Sequence, residues 1–423
     1  MNALKKLFGG NTRQFGMIFA LVALIIFFQI FTEGRTLTPG NVINLFNGNS
    51  YILILAIGMV LVIIAGHIDL SVGSVAAFVG VSVALAIRDW GIPWYMGVLF
   101  GLALGALIGA WQGFWTAYVG IPAFIVTLAG MLLFRGFNQF VGKSNTIPVP
   151  NDFQYLGSGY LPEIGPDTGF NNLTLLIGLV AAAFVVVMSL RARAASKALG
   201  ADVPELWVEV TKLVLICGAI LYATYLFATG RPGTSFPIPG LILAVLVLIY
   251  GFIADKTVIG RHVYAVGGNR HAAELSGVQS KKVNFLVMLN MSVLAGLAGM
   301  IFVGRSTASG PFDGVGWELD AIAAVFIGGA AVTGGVGTVI GSIVGGLVMA
   351  VLNNGLQLLG VGADLTQIIK GLVLLAAVAF DVYNKSQGKR SITGMLMKNF
   401  QRNNNDIKPD ETTSTKEVIS KEA

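Results

Sequence analysis

A chain of 423 residues with 55% hydrophobic and 11% charged residues, at a mean hydropathy of +0.78, is far from the ~45–50% apolar and ~25% charged make-up of soluble domains. That composition excludes a water-soluble globular protein and predicts one that lives in a bilayer. The net charge of +6 requires no nucleic-acid partner, because cations of a membrane protein follow its orientation and the anionic lipid beside it.

In chain order, Lys5, Lys6 and Arg13 precede a first apolar stretch, 14–31. It ends in Gln29, Ile30, Phe31, Thr32 and Glu33 with no small-x-small cleavage site, so an uncleaved first span is expected. Windows of about 17 to 25 apolar residues then place spans near 49–66, 70–87, 93–118, 124–142, 172–190, 212–229, 238–254, 284–304, 318–334, 337–352 and 364–382. The expected fold is all-α and polytopic, with about twelve transmembrane helices. A membrane domain over 1–390 is followed by a polar tail, 391–423, whose composition predicts disorder.

If every segment crosses, both termini share a side. Of the 27 Lys and Arg, only Arg35, Arg88, Lys143, Arg231 and Arg305 then fall on the opposite side, and Arg135 and Lys370 lie inside spans. Positive charge marks the cytoplasm, so both termini of a multi-pass membrane protein are expected there. Cys217 is the single cysteine and His67, His262 and His271 are scattered. Neither a disulfide within the chain nor a metal centre is expected, and no catalytic constellation or cofactor site is evident.

Two regions share an order of features. One runs from HIDLSVGS through Gly97, Gly101, Gly105, Gly109 and Gly113 to GIPAFIVTLAG; the other runs from WELDAIAA through Gly337, Gly341 and Gly345 to GVGADLTQIIKG. By span parity they run in opposite directions, the pattern of an inverted repeat with a solute pathway between its halves. Glycines four apart share a helix face and read as packing. Interrupted stretches are more informative, because irregular backbone at membrane depth persists only inside protein or beside a watery cavity. Asp69, Ser71 and Thr127 in the first region and Glu318 and Asp320 in the second are therefore the pathway or gate candidates. Acids near span ends can equally cap helices. Arg135 and Lys370, each in the last helix of its repeat, are open to an internal ion pair or a solute contact.

The loop 255–284, DKTVIGRHVYAVGGNRHAAELSGVQSKKVN, carries its own fold signals. Asn269 is a good N-cap and Gly277 a good stop for a short helix over RHAAELS. Ala272 and Ala273 keep that helix slim, and Gly267 and Gly268 allow a sharp approach, so it reads at least as well as a docking element for a partner as it does as a solvated connector.

That loop, the hinge IDLSVGS, the stretch PAFIVTLAGM and the run ELDAIAAVFIGGAAVTGGVGTVIG together resemble the permease subunits of bacterial ABC importers for pentoses and hexoses, over about 49–142 and 238–382. The resemblance implies a type II importer-like core. It also implies a coupling helix held by a cytoplasmic ATP-binding subunit, carried onto Gly267, Gly268, Asn269, Ala272, Ala273, Glu274 and Gly277. An extracytoplasmic sugar-binding protein and a homodimeric permease are further partners it implies. An added pair of spans near 172–229 looks most like the xylose permeases. No Walker A pattern occurs anywhere, since Gly388-Lys389 is followed by Arg390, so ATP hydrolysis is expected in a separate subunit. The alternative is an ion-coupled carrier of a small solute, which fits the repeat equally but gives the docking loop no task.

Overall fold

Every apolar segment is helical in the computed structural model, which describes residues 12–200, 203, 205–230 and 234–388. The helices are α1 Thr12–Phe31, α2 Pro39–Ile64, α3 Val72–Asp89, α4 Trp94–Phe114, α5 Ala123–Val141, α6 Asn151–Ser158, α7 Asn172–Ala198 and α8 Leu206–Ala228. They continue as α9 Ile238–Lys256, α10 Val258–Gly268, α11 Arg270–Leu275, α12 Ser280–Ser306, α13 Trp317–Ile327, α14 Val339–Leu358 and α15 Ala363–Gly388. A π-helical turn, Trp115–Val119, extends α4. The strands β1 Ile147–Pro148 and β2 Ala308–Ser309 pair antiparallel, with Ile147 opposite Ser309. Helices satisfy their own backbone groups, which is why they dominate a chain of this hydropathy.

Nine helices among the described residues are long and apolar enough to span a membrane: α2, α3, α4 with its π turn, α5, α7, α8, α9, α12 and α14. The other three expected spans are also helical. The apolar part of α1 is only Gly16–Phe31, α13 is 11 residues long, and α15 carries Asp364, Lys370 and Asp381 in its length. Up to Leu374 the chain forms one compact unit, and from Leu375 a second. The polar tail expected from 391 lies outside the described residues.

Burial sorts the helices. α2 is apolar all round over Ile52–Ile64 and Leu53 to Ile57 are fully buried, the mark of a helix with protein on every side. α12 lies antiparallel beside it. Gly48 faces the Arg305 guanidinium at one end, and Gly58 faces Met291 and Leu294 further along. α14 is antiparallel to α2 as well, since Asn354 pairs with Asn41, Gly346 faces Leu53 and Gly337 faces Ile64. By contrast α4, α5, α7, α8 and α9 display Leu107, Leu132, Leu176, Leu215 and Leu248, each more than half exposed. Apolar surface on that scale is a lipid-contact surface.

The glycines of α4 are packing positions, as their spacing predicts. A Cβ at Gly105 would lie 2.7 Å from the Ser292 carbonyl oxygen, and one at Gly109 would lie 2.6 Å from the Leu289 Cα. With lipid on the outside, close backbone approach supplies the packing that the hydrophobic effect supplies in water. The pair α7–α8 packs on itself, with Gly178 against Thr224 and an Arg193–Glu209 ion pair near its tips.

Candidate functional site

Two broken spans meet about halfway along α2. After α2 the chain runs as non-helical backbone from His67 to Leu70 and enters α3 only at Val72. After α12 it again runs without a long helix over 307–316 before α13 begins at Trp317. The two starts touch: a Cβ at Gly73 would collide with the Gly314 carbonyl oxygen and lie 2.7 Å from Glu318 Oε2. Gly314 has φ +79°, and a Cβ there would collide with the Gly73 carbonyl, so this crossing requires glycine on both strands of chain.

From that crossing the helices diverge. α3 runs alongside α12, with Ala76 at Gly299 and Gly80 at Val303, toward the end of α2 where Gly48 meets Arg305. α13 runs alongside α14, with Ala324 at Gly345 and Gly328 at Gly341, and its following loop bonds the other end of α2 through Gly335 N–H donating to the Ile64 carbonyl, 2.8 Å. Two helices that run apart with their N-termini together fit the inverted repeat expected from the sequence.

Polar side chains concentrate at the crossing. Asp69 is 0% exposed; its Oδ1 accepts from the Ser71 backbone N–H at 2.8 Å and the Ser71 hydroxyl at 2.6 Å. Gln112 of α4, also 0% exposed, donates to the Ser71 hydroxyl at 2.7 Å. Thr127 of α5 donates to the Ile68 carbonyl at 3.3 Å. Asp69 Oδ2, Gln112 Oε1 and Glu318 Oε2 are buried without a hydrogen-bond partner among the described residues.

Of the two acids named in the second region, Glu318 lies at the crossing and Asp320 does not. Positions two apart on a helix point to different faces, so Asp320 turns away to Lys370 Nζ, 2.5 Å. Glu318 Oε1 lies 3.9 Å from Arg135 Nη2. The two deep cations thus both hold α13, one from α5 and one from α15, the last helices of the two repeats. The first turn of α13 is thus paired with both α5 and α15.

The loop 255–284 folds into α10 and α11. Asn269 caps α11 as its sequence predicts, its Oδ1 accepting from Ala272 N–H at 3.0 Å, and Gly277 ends the element at φ +85°. Two candidates turn inward. Gly267 is wedged against the protein's own backbone, where a Cβ would overlap the Ile64 carbonyl oxygen, and Ala273 is 5% exposed. The outward residues are Gly268, Ala272, Glu274, Gly277 and Leu275, which is 79% exposed. The Ser280 hydroxyl, and after it Arg270, hold the Glu274 carboxyl below the usual carboxylate range. A cavity of about 490 Å³ opens between this element and the first broken span, lined by His67, Ile68, Thr116, Arg270, Lys281 and Asn284 among others.

The sequence profile of the family described as branched-chain amino acid transport system / permease component matches residues 41–378. The chain belongs to this family. Among characterised relatives, the permease is 39% identical over 383 residues to the xylose transport system permease protein XylH of Haemophilus influenzae, covering 90% of the permease and 99% of that protein. It is 38% identical to XylH of Escherichia coli, covering 89% and 93%, and 34% identical to the ribose import permease protein RbsC of Escherichia coli, covering 87% and 94%. No solved structure matches it. Family and apolar helices together make it a multi-pass membrane protein.

Two residues of the permease's junction escape a sequence reading. Gln112 is the one amide in the glycine-lined part of α4, a signal present but masked by the glycines around it. Asn138 of α5 donates to the Gly310 and Pro311 carbonyls at 3.3 and 3.1 Å, pinning the irregular stretch before α13. Nothing near Asn138 in sequence marks that role.

Proposed function

We propose that the permease is the membrane-spanning subunit of an ATP-driven uptake system for a monosaccharide, with xylose the first choice, working by alternating access. The observation that carries this reading is likeness over nearly the whole length to two xylose transport system permeases, at 39% and 38% identity. Lower identity to a ribose permease, at 34%, keeps the sugar class and ranks the sugar. The permease sits in a bacterial inner membrane with both termini in the cytoplasm, where the charge split puts them.

With no P-loop in the chain, the driving energy enters through a separate ATP-binding subunit. The outward face of α11 receives it, through Leu275, Ala272 and Glu274. Gly267 and Ala273 fix that helix to the permease body while Asn269 caps it, so a push on α11 reaches Ile64 and the loop after α13 through Gly267. The junction of α3 and α13 is the bistable element, and the pairs Arg135–Glu318 and Lys370–Asp320 remake as the halves rock. A binding protein delivers the sugar on the opposite face, and two permease copies form the complete pathway.

Uptake of labelled D-xylose into sealed vesicles holding the permease, its ATP-binding subunit and the binding protein tests this. Uptake is expected to follow ATP and to ignore proton and sodium ionophores. Leu275→Glu is expected to abolish uptake and ATP-subunit retention while leaving permease levels in the membrane unchanged. Uptake that tracks an ion gradient without ATP would overturn the reading in favour of a self-sufficient carrier.

A further inference from the structure

The end of α2 remote from α11 is rich in amides. Asn44 and Asn49 of α2, Asn353 and Gln357 of α14, Tyr51 and the Arg305 side chain of α12 line a cavity of about 420 Å³. That volume falls in the range of small-molecule sites, ~300–1,000 Å³. Most such sites are chiefly apolar. Here the named lining side chains are amides, a phenol and a guanidinium.

Several of these groups are available to a ligand. Asn353 Oδ1 is buried without a hydrogen-bond partner among the described residues. Asn49 uses its N–H on the Leu45 carbonyl at 2.8 Å, which leaves its amide oxygen as an acceptor. Arg305 makes no ion pair with a described carboxylate, its guanidinium lying over Gly48. Asn354, which also lines the cavity, and Asn41 beside it satisfy each other reciprocally at 2.8 and 2.9 Å and hold α2 and α14 at a fixed spacing. No carboxylate lines it.

Beneath the cavity is an aromatic cluster. Tyr51 meets Trp317 with ring centroids 4.4 Å apart and Phe302 at 5.0 Å, and Phe302 meets Trp317 at 4.5 Å. Trp317 is the residue before Glu318, so the floor of the cavity is the roof of the α3–α13 crossing.

We propose that this cavity is the landing site at which a neutral polyhydroxylated solute, a monosaccharide, first meets the permease, with Tyr51, Phe302 and Trp317 as its aromatic floor. Amide oxygens and N–H groups match hydroxyls that both donate and accept, and an aromatic floor suits the apolar face of a sugar ring. With a single cation and no carboxylate, the lining gives no paired charge for a zwitterion and repels a cation. This inference rests on the sugar-uptake reading and names where the sugar first meets the permease.

The test uses the full-length permease assembled with its partners, once ATP-driven D-xylose uptake by the unaltered chain is in hand, so that failure here is distinct from failure of the transport reading. Asn353→Leu with Gln357→Leu removes two neutral hydrogen-bonding groups, and uptake is expected to fall about tenfold with membrane yield and ATP-subunit retention unchanged. A second measurement stands if that variant folds poorly. In a Cys217→Ala background, Gln357→Cys in the purified permease is expected to react with a polar thiol reagent, more slowly in concentrated D-xylose and at an unaltered rate in osmotically matched glycine betaine. Full uptake by a folded double variant, or thiol labelling that D-xylose does not slow, would each overturn the proposal.

Discussion

At the scale of single residues, the deep charges of the permease are committed to one another. Lys370 and Asp320 are each about one-fifth exposed, at 21% and 19%, and their charged atoms are 2.5 Å apart. Removing one partner of a buried pair costs about 3–5 kcal/mol, because the other charge is left uncompensated. Partial exposure puts this pair at the low end of that range. Lys370→Met and Asp320→Asn should therefore each lower the unfolding temperature of the detergent-solubilised permease, and the double variant should recover most of the loss. Singles as stable as the parent would show that the pair is a solvated contact. Asp69 is a different case. Its Oδ1 accepts both Ser71 hydrogen bonds, and an Asn oxygen at that position accepts them too. From sequence, Arg135 and Lys370 stand out as charges inside apolar helices, but their partners do not, because Glu318 and Asp320 are brought to them only by the packing of α5 and α15 around α13.

Elements were legible to the extent that hydropathy tracks helicity, and they diverge where the two part. The expected second span begins at 49, whereas α2 begins at Pro39. Asn41, Asn44, Asn47 and Asn49 lower the hydropathy without breaking the helix, since proline at the first helical position starts it and α14 and α12 pack along it. That misread half-helix carries the amide cavity. The glycine stripe of α4 was legible as an interface, but not the tolerance of each position. A Cβ at Gly101 meets side chains only, the Met300 sulfur at 2.5 Å and Val83 Cγ2 at 2.9 Å, whereas one at Gly109 meets the Leu289 backbone at 2.6 Å. A methionine can move aside, and a helix backbone cannot without separating α4 from α12. Gly109→Ala should cost about 1–3 kcal/mol, seen as a lower yield of monodisperse protein and a lower unfolding temperature, with Gly101→Ala costing less. Equal behaviour of the two variants would show that the tight approach of α4 to α12 is not centred on Gly109.

For the whole molecule, the sequence carries the span order and the charge asymmetry, while the meeting of α3 and α13 depends on a contact between Gly73 and Gly314 that no local pattern encodes. The orientation proposed for the permease rests on charge, and one helix tests it. α7 separates the stretch 159–171, which bears no Lys or Arg, from a tip carrying Arg191, Arg193 and Lys197. Its 27 residues at about 1.5 Å per residue give ~40 Å of helix, more than the ~30 Å hydrocarbon core. Its two ends therefore lie on opposite sides. Cations are retained on the cytoplasmic side during insertion, which puts Glu163 outside and Ala198 inside. Both positions are exposed. In a Cys217→Ala background, Glu163→Cys should react with an impermeant thiol reagent added to intact cells, and Ala198→Cys should react only after the membrane is permeabilised. Reversed labelling would invert the permease and move the amide cavity to the cytoplasmic side. Labelling of both from outside would mean that α7 does not cross at all.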